Sequence, residues 1–228
     1  RKRAFGVIPL SRYIEDGMMT AAQAGLLVRA VRERQNILIA GGTSTGKTTL
    51  ANALLAEIAA TGDRVLVLED TVELQCAARD HVPLRTRQGV VSMTELVRSS
   101  MRLRPDRVVV GEVRGAEALD LIKVWGTGHP GGIATIHAGS ALGALLRLEQ
   151  LILEVAVNPP RALIAEAVNV VIHIAGRGRK RRIESIARVV GFDGSGYQLA
   201  DALEAPFPEL LPQSDLSSVS PDQPGELP

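Results

Sequence analysis

Gly41-Gly42-Thr43-Ser44-Thr45-Gly46-Lys47-Thr48 has the spacing G-x-x-x-x-G-K-[ST], with Thr49 following. The chemistry needs that spacing. Glycines let a loop wrap tightly and turn its backbone N–H groups inward on phosphates. A lysine next to the last glycine reaches the β- and γ-phosphates, and the hydroxyl after it binds Mg²⁺. A helix that follows directs its positive end at the same charge. The run therefore implies ATP and Mg²⁺ as ligands, cradled by Gly41 to Thr49. An ordinary glycine-rich loop is the plain alternative, and the flanking apolar segments weigh against it.

Carboxylates cluster at two further places. Leu68-Glu69-Asp70-Thr71-Val72-Glu73 carries three, and Val110-Gly111-Glu112-Val113-Arg114 one more. In a nucleotide site one acid holds Mg²⁺, directly or through water, and another orients or deprotonates the attacking water. Thr48, Asp70 and Glu112 are the metal candidates; Glu112 and Glu73 are the catalytic ones. Strand-end acids also cap helices, and spacing does not decide which of the four is the base. Gly131-Gly132-Ile133-Ala134-Thr135-Ile136-His137 is an apolar run ending in a histidine, placed to read a γ-phosphate. Arg102, Arg104, Arg114 and Arg147 are candidate arginine fingers, although most surface arginines are solvated charge. The run Arg177-Gly178-Arg179-Lys180-Arg181-Arg182 could touch phosphates or an acidic surface, but its place between two strands favours an exposed basic hairpin.

These groups need elements to hold them. Ile37–Ala40, Val65–Leu68, Val108–Val110 and Ile133–Ile136 are short continuous apolar runs, suited to buried parallel strands. Each ends at one of the polar clusters. Helical patterns alternate with them over 50–60, 92–103, 116–125 and 141–153, and Pro160 opens another over 161–167. Thr20-Ala21-Ala22-Gln23 and Ser92-Met93-Thr94-Glu95 are capping boxes. Residues 1–19 read as an irregular lead-in, and 71–91 as loop and edge structure. Strands are expected at 170–172 and 186–190, and Asp193-Gly194-Ser195-Gly196 signals a hairpin. The alternation predicts a mostly parallel sheet flanked by helices, with ligands beyond the carboxyl ends of the strands.

Composition narrows the class. With 46% hydrophobic residues and a net charge of +1 over 228 residues, the chain folds as a globule. That balance gives no electrostatic footprint for nucleic acid, and 3% aromatics give no stacking platform. One cysteine, Cys76, excludes an internal disulfide framework or a multi-cysteine zinc site. No apolar run approaches the roughly 18 residues of a membrane span, and no secretory h-region follows Arg1-Lys2-Arg3. A reducing, cytosolic-type compartment fits. The chain starts in mid-pattern without Met, so a fragment is expected. Six of its twelve prolines lie after residue 205, where a disordered tail is expected.

With these residues laid out, the chain resembles the secretion-ATPase superfamily, in particular the TrbB-like conjugal-transfer and type IV secretion ATPases. The resemblance spans about residue 5 to about residue 192. Asn36 through Thr49 resembles the family's Walker A segment, and Arg64 to Glu73 its Asp box. Leu103-Arg104-Pro105-Asp106-Arg107 through Gly115 resembles the Walker B region. Thr127-Gly128-His129-Pro130-Gly131-Gly132 through Ala138, continuing into Arg147-Leu148-Glu149, resembles the His box. Four motifs in order are far more specific than the phosphate loop alone.

The resemblance implies a RecA-like P-loop NTPase core over 36–192. Residues 1–35 would be the linker and leading helix at the end of a missing N-terminal domain, and 193–228 a hairpin remnant and tail. It implies a homo-oligomer, a hexameric ring with ATP at the subunit interface. Hydrolysis would drive transfer or pilus biogenesis with inner-membrane components, from the cytoplasmic face and without sequence-specific nucleic-acid binding. Lys47 and Thr48 would hold phosphate and Mg²⁺, Glu112 would be the catalytic acid, His137 the coupling residue and Arg102 an interface arginine. A pilus or type II secretion motor, or a nucleotide-binding scaffold with little turnover, are the alternatives. In one departure, Ser44-Thr45 stands where the family often has Gly-Ser, and Ser44 lacks glycine's freedom at positive φ.

Overall fold

The computed structural model describes residues 6–204. In chain order the helices and strands are α1 (Leu10–Glu15), α2 (Ala21–Arg32), β1 (Ile37–Gly41), α3 (Lys47–Ile58), β2 (Val65–Glu69), β3 (His81–Arg85), α4 (Met93–Ser100) and β4 (Arg107–Val110). There follow α5 (Glu117–Gly126), β5 (Ile133–Ile136), α6 (Ala141–Ile152), α7 (Arg161–Ala167), β6 (Val170–Ala175), β7 (Arg182–Phe192) and β8 (Tyr197–Asp201). The strands join one sheet in the order β3-β2-β4-β5-β1-β6-β7-β8. Pairing is parallel from β3 to β6, then antiparallel through β7 and β8. This is the expected α/β architecture with a C-terminal antiparallel hairpin.

Strands β1, β2, β4 and β5 bury every residue, which is why their sequences carry no alternation. Successive side chains still point to opposite faces. Leu38, Leu66, Leu68 and Val108 pack with Val97, Leu121 and Leu148 of α4, α5 and α6. Ile37, Ile39, Val65 and Val109 pack with Leu27 of α2 and Leu54 of α3. The parallel order brings the carboxyl ends of β1, β2, β4 and β5 to one edge, and the polar clusters with them.

Both capping boxes form. Gln23 N–H donates to Thr20 Oγ1 at 3.1 Å, and Glu95 N–H donates to Ser92 Oγ at 3.2 Å, each with the reciprocal bond. Two expectations need correction. The lead-in contains α1, whose Leu10 and Tyr13 are buried on the sheet. Six residues are too few to show a helical period. The phosphate helix also starts three residues before the expected Leu50, at Lys47, because the glycine loop runs straight into its first turn. The edge structure expected within 71–91 includes β3. The proline-rich tail lies outside the described residues. No helix among those described is long and apolar enough to cross a membrane.

The opposite edge of the sheet is sealed by charge. Arg107, 1% exposed, donates from Nε to Asp63 Oδ2 at 2.5 Å and from Nη1 to Gly131 O at 3.2 Å. Arg34 pairs with the other oxygen of Asp63. Burial alone would raise the Asp63 pKa. Its hydrogen bonds and the charges of Arg107 and Arg34 outweigh that and hold it below the usual carboxylate value. Asn36, the residue just before β1, is buried beside this network. It donates to Ala167 O and accepts from Gly131 and Gly132 N–H, pinning β1 to β5 and α7.

Candidate functional site

The loop from Gly41 to Gly46 closes on itself before α3. A Cβ on Gly41 would stand 2.6 Å from Thr45 Oγ1 and 2.7 Å from Ile174 O, so no larger residue fits. Gly46 takes φ 100° and caps α3 without offering a side-chain acceptor. The first-turn N–H groups of α3 are thus left to a ligand. Ser44 takes φ 64°, the strained geometry that its side chain made a concern.

Lys47 is buried, and its Nζ donates to Gly41 O at 3.0 Å and Gly42 O at 3.1 Å. The same Nζ lies 3.4 Å from His137 Nδ1. His137 Nε2 lies 2.6 Å from Glu112 Oε1. The imidazole thus stands between the ammonium and the carboxylate, one ring nitrogen towards each. Lysine from the first turn of α3, histidine from the end of β5 and glutamate from the end of β4 stand in series.

The acids sort themselves by partner. Thr48 Oγ1 donates to Glu73 Oε2 at 3.2 Å. Glu69 is buried and accepts from Glu73 N–H at 2.9 Å and Leu74 N–H at 2.7 Å, so it shapes the loop that carries Glu73. Asn52 of α3 braces that loop from the other side, donating to Glu73 O and accepting from Gln75 N–H. Asp70 turns away from Thr48 to pair with Arg114 and accept from Thr86 Oγ1. Arg114 also approaches Glu112, at 3.9 Å.

These groups line a cavity of about 850 Å³, within the range of small-molecule sites. Four carboxylates (Glu69, Asp70, Glu73 and Glu112) face three cations (Lys47, Arg114 and Arg181). The hard oxygens of Thr48 and its carboxylate neighbours suit Mg²⁺. The loop, the helix end and Lys47 suit a polyphosphate.

Not every expected residue is here. Thr43, Ser44, Gly46, Lys47, Thr48 and Thr49 line the cavity; Gly41, Gly42 and Thr45 shape the loop behind it. Arg102 does not approach. It is exposed on the 3-10 turn Met101–Leu103 ahead of β4, at the far edge of the sheet. Arg104 is exposed just beyond that turn, and Arg147 is exposed on α6, bonded to Gln150. The basic run is an exposed turn only in part. Arg177, Arg179 and Lys180 are exposed, but Arg181 reaches the cavity and donates to Ser44 O at 3.3 Å. Sequence reading held Arg181 only as part of the basic run, where phosphate contact came second to an exposed hairpin, and it missed Asn52. Asn52 belongs to no short motif, and only the packing of α3 and of the turn before β7 brings the two into the site.

A family model described as "Type II/IV secretion system protein" matches residues 7–184. The conjugal transfer protein TrbB of Rhizobium radiobacter is 49% identical over 200 residues, covering 87% of this chain and 62% of TrbB. The chain therefore spans less than two thirds of that relative's length. Among solved structures, the VirB11 ATPase of the Brucella suis type IV secretion system, in complex with sulphate, is similar. It shares 30% identity at a TM-score of 0.65, covering 82% of this chain and 67% of that one. The pilus retraction motor PilT with bound ADP superposes at a TM-score of 0.61 over 88% of this chain and 53% of its own. At 19% identity it bears on the fold alone.

Proposed function

The chain belongs to the type II/IV secretion system protein family, among its TrbB-like conjugal-transfer members, and from that premise we propose that it is an Mg²⁺-dependent ATP-hydrolysing motor of a conjugative-transfer or type IV secretion apparatus. One observation carries the reading: Lys47 and Glu112 meet through the two nitrogens of His137, in a cavity closed by the phosphate loop. A phosphate-binding lysine and an acid suited to activating water are thereby joined.

In this reading the loop N–H groups and Lys47 bind the β- and γ-phosphates. Arrival of the γ-phosphate draws Lys47 away from Gly41 O, Gly42 O and His137. Mg²⁺ would neutralise phosphate charge there; Thr48 would hold it, with Glu73 or Glu112 reaching it through water. Asp70 is committed to Arg114 and Thr86, and so orients Arg114 rather than the metal. Glu112 takes the proton of the attacking water. His137, touching both Lys47 and Glu112, reports the loss of the γ-phosphate to β5.

We take residues 36–192 as the ATPase unit. Arg102, remote from the chain's own cavity, would serve the site of a neighbouring subunit in a hexameric ring. The ring would work with inner-membrane components from the cytoplasmic face; the relatives' names supply only the systems, conjugal transfer for TrbB and type IV secretion for VirB11.

Phosphate release with Mg²⁺-ATP over a range of protein concentration tests this. The expected result is turnover per subunit that rises with concentration and falls about 10²–10⁴-fold in Glu112→Gln, with ATP binding kept. Binding without turnover at any concentration would assign the chain as a nucleotide-binding scaffold. Normal turnover in Glu112→Gln would move the base to another carboxylate.

A further inference from the structure

Arg181 stands apart from the rest of the basic turn. A Cβ on Gly176, at φ 79°, would lie 2.0 Å from Lys180 O, so the chain from 176 to 181 folds tightly back on itself. At its exit Ile183 N–H donates to Met18 O at 2.8 Å, which ties β7 to the segment between α1 and α2. Arg181 is thereby aimed across the sheet edge onto the phosphate loop. Its guanidinium lies over Gly46: a Cβ there would meet Nε at 3.0 Å and Cζ at 3.1 Å. Only glycine allows that approach.

The guanidinium is under-used where it lies. One nitrogen donates to Ser44 O. Nε is shut off from solvent and has no hydrogen-bond partner among the described residues. No carboxylate forms an ion pair with Arg181 among the described residues, although four line the same cavity. From behind, the charge acts on Tyr13 of α1. Burial pushes that phenol up to about 12, and the nearby cation only partly offsets it. A rigidly aimed fork with spare donors, beside an uncapped helix end and over a phosphate loop, matches a phosphate oxygen better than any group already present.

We propose that Arg181 is a nucleotide-binding residue in cis, donating to a phosphate of the nucleotide held by the Gly41–Thr48 loop. This rests on the nucleotide reading of the cavity. On binding, the guanidinium exchanges its neutral carbonyl partner for a charged phosphate oxygen.

The test is a calorimetric ADP titration of the full chain, with KCl varied from about 50 to 300 mM. Wild type, Arg181→Gln, Arg181→Lys and Arg179→Gln are compared; Arg179 is exposed in the same turn and serves as control. The expected result is affinity about tenfold weaker in Arg181→Gln, partly recovered in Arg181→Lys, and unchanged in Arg179→Gln. The deficit of Arg181→Gln should shrink as salt rises, because a direct ion pair is screened. Wild-type affinity in Arg181→Gln overturns the proposal and leaves the nucleotide reading standing. Equal weakness in Gln and Lys, indifferent to salt, also overturns it, since Arg181 would then only prop Ser44. Should the wild type bind neither ADP nor ATP, both readings fall. If melting without nucleotide shows that Arg181→Gln does not fold, Arg181→Met, which keeps the stem packed on Gly46, is titrated in its place.

Discussion

At one edge of the sheet Arg107 lies buried between Asp63 and the carbonyl of Gly131, with Arg34 on the far side of the same carboxylate. At the other edge Lys47, His137, Glu112, Glu73, Asp70, Arg114 and Arg181 ring an open cavity. Both edges are rich in charge, and both gather it from strand ends. In the first, both guanidinium groups already meet the one carboxylate of Asp63, and the charge serves the fold. In the second, several contacts are weak or long, and two cations rest on neutral carbonyls that water could replace. Pairing and enclosure, rather than the number of charges, separate a structural network from a binding site.

Substitutions that cross this divide should split cleanly. The largest stability effect belongs to the sealed edge. Asp63→Ala leaves Arg107 buried and unpaired and should cost roughly 3–5 kcal/mol in urea unfolding, with nucleotide affinity per folded molecule unchanged. A cost below about 1 kcal/mol would erase the distinction. The same carboxylate sets an acid limit. Its pKa is depressed in the fold, so its contribution is present above the unfolded value of about 3.9 and is lost as pH falls through the lower folded value. Unfolding titrations of wild type against Asp63→Asn should converge in that acid window and diverge above it.

Lys47→Ala should do the reverse. We expect ATP affinity to drop about a hundredfold while stability changes by less than about 1 kcal/mol. A large loss of stability would make the lysine part of the fold rather than of the site. The smallest expected effect sharpens the comparison inside the loop itself. Ser44→Gly relieves a left-handed serine and should gain about 0.5–1 kcal/mol, read as a higher urea midpoint at equal slope. A loss there would mean that the serine's contacts outweigh its strain.

Much of this was legible in the residue order. The four buried strands, the phosphate loop, both capping boxes and the mostly parallel sheet depend on neighbours within about one helical turn or one strand. The strained position of Ser44 was legible only beside the family pattern the chain resembles, which often has glycine there. Sorting the acids was not. Glu69, Asp70 and Glu73 sit within five residues, yet one shapes a loop, one holds Arg114 and one faces Thr48. Arg102 and Arg181 both lay in basic surroundings, and nothing along the chain told the remote one from the one on the loop.

Spacing along the chain thus sets backbone conformation and which side chains share a face, since both follow from local sterics and periodicity. Partnership across the molecule follows from strand order and register. Arg181 meets Ser44 across 137 residues, and Arg107 meets Asp63 across 44, only because β6 and β7 extend the sheet beside β1 while β4 lies against β2. Such contacts form after the apolar faces have packed, and the packing of those faces determines which charges are sealed and which are left to meet a ligand.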